Sequence, residues 1–391
     1  MKDALSGIKV LDFSTLLPGP YGSMLLQGMG AQVTRVEAPS RPDLVRALKP
    51  EDASGHSAAH SYLNRGKHSI AIDLKHEQAQ SVVRDLVRQS DVVIEQFRPG
   101  VMDRLGLGYE TLSQWNPQLI FCSITGYGQD GPFKDRAGHD INYLALSGIA
   151  DYSRRRGQAP VPFGVQVADV AGGAHHAVMA ILAAIIKRQR TQTGEHLDIS
   201  MTDCAVSMNA MFGAAVLSNE EVGAETNVLN GGAFYDYYET RDARYMSVGS
   251  LEPQFLQVLC KTLNMLDVIH LAASQKHEDR LQFKERMKQA FLAETFDVWR
   301  ERFASLDCCV EPVLSLREAL DSELSSARNW VAEVPCSEAE GSVRQLSHPI
   351  SKSVGQATTG GRIGADTNSV LLALGYDQAR IDQLKQDKAV K

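Results

Sequence analysis

Apolar runs alternate with amphipathic stretches through the first 125 residues of the chain. Residues 8–13 form an apolar run typical of a buried strand, residues 21–28 show helical spacing, and residues 32–37 form a second strand. The alternation continues with strands predicted at 69–73, 91–97 and 119–124 and a helix at 77–90. Strands that alternate with helices predict an α/β fold with a parallel, Rossmann-like sheet.

The pattern changes in the second half of the chain. Apolar residues recur at helical spacing over 169–190, residues 196–201 alternate as a strand, and 202–217 reads as one further helix. A hairpin is predicted at 234–239 and 245–248, followed by helices at 253–264, 280–292 and 296–303. These patterns predict a large domain over 1–200 that is completed by 335–391, a linker helix at 201–231, a smaller α+β domain over 232–325, and a return to the large domain over 326–391.

Composition narrows the class of protein. The chain has 391 residues, 43% of them hydrophobic and 22% charged, and a net charge of −7, which argues against nucleic-acid or membrane-surface binding. No cysteine pair has CxxC spacing and no Cys/His pattern suits zinc, so no metal site is predicted. The N-terminus has no signal peptide and no apolar run reaches the ~20 residues of a membrane helix, so we expect a cytoplasmic protein.

Positive charge concentrates locally in this acidic chain. Seven basic residues fall within 41 positions, namely Arg35, Arg41, Arg46, Lys49, Arg65, Lys67 and Lys75. Arg98 follows a predicted strand directly and Arg104 lies just beyond, where loops at the carboxyl ends of parallel strands bind ligands. A ligand with several phosphates would suit this set, although a solvated face with ion pairs to acidic neighbours explains it equally. The glycines near Gly28 lack the GxGxxG spacing, which excludes a dinucleotide fingerprint.

Three candidate acid/base residues stand at predicted helix starts. His139 precedes an apolar run, where the helix dipole favours a neutral imidazole and the N–H of Asp140 is free to hold an oxyanion. Asp169 begins the long apolar helix, and Glu252 precedes another. Each also has a purely structural interpretation as a helix cap. Composition and spacing alone therefore support only an α/β enzyme with an anionic ligand.

Eight short segments together carry a resemblance to the family III CoA-transferase superfamily, and within it to the α-methylacyl-CoA racemases. They are LPGP at 17–20, IEQFRPG at 94–100, RLGLG at 104–108, TGYGQDGP at 125–132, GHDINY at 138–143, DVAGG at 169–173, GGAFYD at 231–236 and VGSLEPQF at 248–255. The similarity runs from residue 5 to about residue 325. So many segments matched in order are specific for the superfamily.

The resemblance implies a mechanism and a set of site residues. His139 and Asp169 would be opposing acid/base groups that invert C2 of a 2-methylacyl-CoA thioester through an enolate, and Glu252 would pair with His139. The acyl-CoA would be bound by Ile72, Asp73, Leu74, Lys75, Gln96, Phe97, Arg98, Arg104, Gly138, Asp140 and Tyr143. No separate cofactor is implied, because CoA is part of the substrate, and the reaction would belong to lipid and fatty acid metabolism.

The resemblance also implies an interlocked homodimer whose active sites are shared between subunits, with Glu252 supplied by the partner chain. Relatives that transfer CoA between carboxylic acids use the residue matching Asp169 as a nucleophile that forms an acyl-enzyme intermediate, so Asp169 fits both reactions. Leu17 stands where many transferases have glutamine, and residues 230–232 are shorter than their glycine-rich flap. Ala38 stands where the racemases have an arginine for CoA phosphate, and Arg41 or Arg46 are the candidates to replace it.

Overall fold

The computed structural model describes residues 3–391; residues 1 and 2, the first of the predicted large domain, lie outside the described part. Its strands are β1 Lys9–Asp12, β2 Gln32–Glu37, β3 His68–Ala71, β4 Val92–Glu95, β5 Ile120–Thr125, β6 Glu195–Ser200, β7 Asp236–Glu239, β8 Tyr245–Val248, β9 Val310–Pro312, β10 Val331–Pro335 and β11 Ser342–Leu346.

The α-helices lie between and after these strands along the chain. They are α1 Pro18–Gly28, α2 Ala58–Leu63, α3 Ala79–Arg88, α4 Val101–Arg104, α5 Tyr109–Trp115, α6 Asp140–Leu146, α7 Ile149–Tyr152, α8 His176–Thr191, α9 Met201–Ser207, α10 Ala210–Leu217, α11 Pro253–Thr262, α12 Ile269–Ala272, α13 His277–Leu292, α14 Phe296–Phe303, α15 Leu316–Leu320, α16 Glu323–Arg328, α17 Thr367–Ala373 and α18 Gln378–Gln386. A π-helical segment, Ala168–His175, runs directly into α8.

A six-stranded parallel sheet organises the first half of the chain. The strand order is β3-β2-β1-β4-β5-β6, so β1 pairs with β2 on one side and β4 on the other. All residues of β4 and β5 are buried, which explains their continuous apolar runs, because a parallel sheet is covered on both faces. The predicted α/β class with a parallel sheet is confirmed. The reversal of strand order beside β1 creates a crevice at the carboxyl ends of β1 and β4.

Contacts divide the chain into two units. The first comprises residues 1–147, 163–208 and 322–391, and the second comprises residues 148–162 and 209–321. The segment 148–162, which the sequence pattern assigned to the large domain, therefore groups with the second unit. The second unit has its own core, built by the three-stranded antiparallel sheet β7-β8-β9 and the aromatic residues of α13 and α14.

Three elements differ from the sequence-based expectation. The predicted single helix over 202–217 is two helices, because the chain turns at Met208 and Asn209. The hairpin β10–β11 was not predicted at all. The apolar helix from Ala168 to Thr191 has 24 residues, so by length and composition alone it could cross a membrane. The sequence-based expectation was that no apolar run is long enough to do so. A core helix passes the same test, and 44% of its most apolar window is buried.

Candidate active site

The loops after the parallel strands bring the predicted site residues of the first unit to one edge of the sheet. Gln96 lies just past β4, and its side-chain oxygen accepts a hydrogen bond from the N–H of Gly19 at 3.0 Å. This bond ties the loop after β4 to the start of α1, which follows β1. The two loops at the reversal of strand order are thereby joined through Gln96.

His139 ends an exposed turn immediately before α6. The side chain of Asn142 accepts a hydrogen bond from the N–H of His139 at 3.0 Å, which fixes the backbone at the helix start. The hydroxyl of Tyr143 donates to the carbonyl of Gly138 at 2.6 Å, on the other side of the histidine. Nothing larger than glycine fits at 138, because an added Cβ would lie 2.6 Å from the hydroxyl of Tyr127. The turn is held on both sides of His139, whose side chain is exposed.

Asp140 connects this turn to the segment that carries Asp169. One oxygen of its carboxylate accepts hydrogen bonds from the N–H groups of Ala168, at 2.6 Å, and Asp169, at 3.1 Å. A carboxylate at the first N–H groups of a helix is a favourable cap, and here it comes from another element. His139 and Asp169 are therefore brought into one site by the residue that follows the histidine.

Asp169 is not the helix cap that the sequence pattern suggested. The helix begins one residue earlier, at Ala168, and its first eight residues are π-helical. π-helical turns are rare and are found mostly at functional sites. The π-helical segment packs tightly against its neighbours. A Cβ on Gly172 would lie 3.0 Å from the carbonyl of Met201, and a Cβ on Gly173 would lie 2.8 Å from Pro18.

The variant Gly173→Ala is expected to destabilise the protein by roughly 1–3 kcal/mol, because the added methyl group overlaps Pro18 and Met201 in a packed layer. The control is Gly22→Ala in α1, where the new Cβ meets its nearest neighbour at 3.6 Å and alanine is the better helix former. Urea unfolding of both variants measures the difference. Equal stability of the two variants would contradict the close packing at Gly173.

Burial raises the pKa of the Asp169 carboxyl to about 6, and the negative charge of Asp140 acts in the same direction. The nearby His139 acts in the opposite direction. A carboxyl group with a pKa near neutrality both accepts and donates a proton at physiological pH. Burial also raises the pKa of the neighbouring Tyr143 to about 12, so its hydroxyl remains protonated.

The raised pKa predicts how Asp169→Asn changes stability with pH. Between about pH 4 and pH 6 the folded protein holds a proton on Asp169 that the unfolded chain has released, so stability falls as pH rises through this interval. Asp169→Asn does not lose stability in this way, because asparagine carries no titrating carboxyl group. Its melting temperature should exceed that of the wild type above about pH 6, and the difference should vanish below about pH 4. A difference that does not change with pH would contradict the burial of this charge.

Most of the predicted basic cluster serves the fold. Arg35 pairs with Asp43 at 2.5 Å, and Lys67 lies 3.3 Å from Asp12, with all four side chains almost fully buried. Arg65 donates to the carbonyl of Leu346. Two more members have ion-pair partners, since the mostly buried Arg46 pairs with Glu37 at 2.5 Å and the exposed Lys49 pairs with Glu51. The cluster is thus neither a single phosphate site nor a solvated face.

Four of the nine basic residues singled out in the sequence stay without a side-chain partner among residues 3–391. They are Arg41, Lys75, Arg98 and Arg104, all exposed. Arg41, Lys75 and Arg98 follow β2, β3 and β4, three strands whose carboxyl ends share one edge of the sheet. Arg46 is therefore not free to take the place of the arginine missing at Ala38, whereas Arg41 is.

The remaining predicted contacts vary in accessibility. Ile72 is fully buried, so a contact from it would come from its main chain. Asp73, Leu74 and Phe97 are half-buried. Leu74 and Phe97 also pack against the main core of the sheet.

Glu252 belongs to the second unit, and its surroundings there are as follows. It is exposed and directly precedes α11, with Pro253 as the first helical residue. The loop before it is fixed, because the N–H of Gly249 donates to the carbonyl of Cys309 at 2.8 Å and the hydroxyl of Ser250 donates to the carbonyl of Cys308. Sequence reasoning assigned Asp140 only its backbone N–H; the role of its carboxylate as the cap of another helix has no signal in spacing.

Comparison with known proteins gives the family. The model of CoA-transferase family III matches residues 5–364. The α-methylacyl-CoA racemase of Homo sapiens is 35% identical, over 99% of this chain and 98% of its own length. The succinyl-CoA:glutarate CoA-transferase of Mus musculus is 30% identical, over 88% of this chain and 77% of its own length. A crystal structure of a CAIB/BAIF family protein from Brucella suis matches with a TM-score of 0.80 at 26% identity, over 96% of this chain and all of that one.

The chain belongs to the CoA-transferase family III. It is an enzyme of the superfamily that includes both CoA-transferases and acyl-CoA racemases. The resemblance drawn from its sequence segments is confirmed at this level.

Proposed function

We propose that the protein is a racemase that inverts C2 of a 2-methylacyl-CoA thioester by two-base proton transfer. The observation that carries the proposal is the pairing of His139 and Asp169 in one site through the carboxylate of Asp140. A 1,1-proton transfer requires two groups that can each take and give a proton, and an imidazole with a carboxyl group is such a pair. The 35% identity to a racemase over nearly the whole chain also supports it.

The proton balance of the reaction is simple. In one direction the carboxylate of Asp169 takes the C2 proton and the imidazolium of His139 donates one to the opposite face. The enzyme then holds a protonated Asp169 and a neutral His139, which is the starting state for the other enantiomer. The raised pKa of Asp169 fits this use, because it brings the protonated and charged forms of the carboxyl closer in free energy.

The enolate oxygen needs a donor, and the N–H of Asp140 fits that role. Among residues 3–391 this N–H has no acceptor, since it lies in the first turn of α6. A free N–H at a helix start is a suitable partner for developing negative charge on a thioester oxygen. Asp140 would then hold the enolate with its main chain and the Asp169 segment with its side chain.

The CoA part of the substrate would be held by the four unpaired cations Arg41, Lys75, Arg98 and Arg104. Phosphate groups attract such cations through charge-assisted hydrogen bonds. With Arg41, Lys75 and Arg98 on the loops after β2, β3 and β4 at one edge of the sheet, the cations suit a ligand with several phosphates. Arg41 would supply the charge that Ala38 lacks.

Arg104→Ala is expected to weaken acyl-CoA binding by roughly tenfold or more, because one charge-assisted hydrogen bond to phosphate is lost. The weaker binding should appear as a higher KM. The difference in KM between the variant and the wild type should shrink at high salt, because salt weakens the phosphate contacts of both proteins. The matched control is Arg84→Ala on α3, an exposed arginine away from these loops. An unchanged KM for Arg104→Ala would remove this residue from the CoA site.

A homodimer with shared active sites is part of the proposal. A second copy of the chain would bring its Glu252 to the exposed imidazole of His139 and stabilise the imidazolium. The exposed position of both side chains within their own units supports this arrangement. The support beyond that is the resemblance to the racemases.

A CoA-transferase is the second candidate, because transferases are also 30% or more identical to this chain. In that reaction the carboxylate of Asp169 would attack the thioester carbonyl, expel the CoA thiolate and form an acyl anhydride, and CoA would then pass to a free carboxylic acid. Leu17 and the short segment 230–232 favour the racemase over this alternative.

One assay separates the two reactions. A single enantiomer of a 2-methylacyl-CoA is incubated with the enzyme without any acceptor acid, and its optical purity is followed by chiral chromatography. The racemase predicts loss of optical purity. Stable configuration, combined with CoA transfer once a carboxylic acid is added and with hydroxylamine-sensitive labelling of Asp169, would establish the transferase instead.

A further inference from the structure

A polar cavity lies between the loop after β4 and the side chains of Phe121, Ser123 and His196 on β5 and β6. Its volume is about 190 Å³. It opens on the sheet face that carries Phe121, which packs with α3 and α5 in the main core. No buried residue of the helix from Ala168 to Thr191 belongs to that core, so the cavity lies on the opposite face of the sheet from the helix that carries Asp169.

The cavity has an excess of negative charge. Glu95, Asp103 and Glu110 line it, and the only cation in its lining is Arg98. Glu95 is 4% exposed and has no ion-pair partner in the described part of the chain. A buried carboxylate without a counter-ion is unfavourable, so a positive ligand would stabilise it.

Aromatic rings form one wall. Tyr109 stacks on the ring of His196 with 5.5 Å between centroids, and Phe121 meets the same ring edge-on at 5.2 Å. Such a wall beside carboxylates favours a cation, because ring faces are electronegative. The lining offers no arrangement for a bare metal: within residues 3–391 no group of three His, Cys, Asp or Glu residues is placed to hold one.

The hydrogen bonds inside the cavity exclude a hydrolytic triad. The hydroxyl of Ser123 lies 2.9 Å from Nε2 of His196 and also bonds to Glu95. The serine thus stands between the acid and the imidazole, whereas a triad needs the imidazole in the middle.

One donor in the cavity lacks a partner. Nε2 of Gln129 is buried and has no acceptor within the described residues. The backbone of the same residue is fixed, because its N–H donates to Asp198 at 2.9 Å. A buried amide without an acceptor is unfavourable, so a ligand with an oxygen acceptor would satisfy it.

We propose that this cavity binds a small organic ammonium compound that also carries an oxygen acceptor, such as an amino alcohol or an amino acid. The ammonium group binds Glu95 against the rings of Tyr109 and His196, and the oxygen accepts from Gln129. The volume limits the ligand to a small molecule, because a cavity of about 150 Å³ already holds benzene. The cavity shares Arg98 with the cations proposed to hold acyl-CoA, whereas Glu95, Gln129 and the aromatic wall have no part in that site.

The titration of Glu95 gives the site a pH dependence. Burial raises the pKa of Glu95 to about 7, and the charges of Asp103 and Asp198 act in the same direction. Burial lowers the pKa of the facing His196, which disfavours its protonated form. Because an ammonium ligand prefers the charged carboxylate, binding releases a proton and weakens roughly tenfold between about pH 8 and pH 6.

Ligand-observed NMR of the full chain tests the proposal with 3-aminopropan-1-ol and β-alanine as probes. Size-matched 1,3-propanediol and propionate lack the ammonium group. We expect only the ammonium compounds to bind, more strongly at about pH 8 than at about pH 6. Glu95→Gln should abolish binding, whereas Glu77→Gln, an exposed glutamate outside the cavity, should not.

Three outcomes would overturn the proposal. They are binding of propionate instead of the amines, binding of the amines that Glu95→Gln does not alter, and no binding of any probe to the wild type. If Glu95→Gln does not fold, the pH dependence in the wild type decides, since binding that does not change between pH 6 and pH 8 contradicts a role for Glu95.

Discussion

Asp169→Asn is expected to stop deuterium exchange at C2 for one enantiomer of the substrate and to leave it for the other. The amide cannot remove the proton that faces residue 169, so exchange of that enantiomer should fall by about 10²–10⁴-fold. The other enantiomer still presents its proton to His139 and exchanges in D₂O. It does so without inversion, because no acid remains on the opposite face.

The control is Asp297→Asn, which changes an exposed aspartate in the first turn of α14. It should exchange both enantiomers at the wild-type rate. Equal loss of exchange for both enantiomers in Asp169→Asn would mean that Asp169 does not act on one face alone. Exchange is read by mass spectrometry of each enantiomer after chiral separation.

His139→Ala is expected to give the mirror image of that result. The enantiomer whose proton faces residue 139 should lose exchange by about 10²–10⁴-fold, while the one that faces Asp169 should still exchange without inverting. The matched control is His277→Ala, an exposed histidine at the start of α13. Full racemisation by His139→Ala would exclude this residue as a base.

The pair of variants separates catalysis from folding. His139 is exposed at the start of α6, so its replacement removes little buried surface and the variant should still fold. Asp169→Asn should melt higher than the wild type above about pH 6. Opposite enantiomer selectivity in two folded proteins would be difficult to explain by a structural defect.

The parallel sheet could be predicted because its signal is local. The buried strands β4 and β5 are largely apolar, as strands of a parallel sheet are, and the more mixed β2 was also placed at its observed bounds. The hairpin β10–β11 was missed because its polar and apolar residues alternate over only a few positions in a polar tail. Element lengths near the minimum carry too little periodicity to be recognised.

The individual residues of the site could be predicted from the sequence, but their arrangement could not. The pattern placed His139 and Asp169 at helix starts, but it gave no reason for them to meet. That reason is a long-range hydrogen bond from the carboxylate of Asp140 to the N–H groups of the π-helical segment. Likewise, charge counting found the basic cluster, whereas burial decided that Arg35 and Lys67 serve the core and Arg98 stays free.

The most direct test of the two-base account is the isotope content of both enantiomers early in the reaction. One enantiomer of a 2-methylacyl-CoA is incubated with the wild-type enzyme in D₂O. Substrate and product are then separated, and the deuterium content of each is measured by mass spectrometry. We predict that the inverted product carries one deuterium from the first turnovers, because a different group supplies its proton. An inverted product that retains the original hydrogen, or no inversion at all, would contradict the opposed roles of His139 and Asp169.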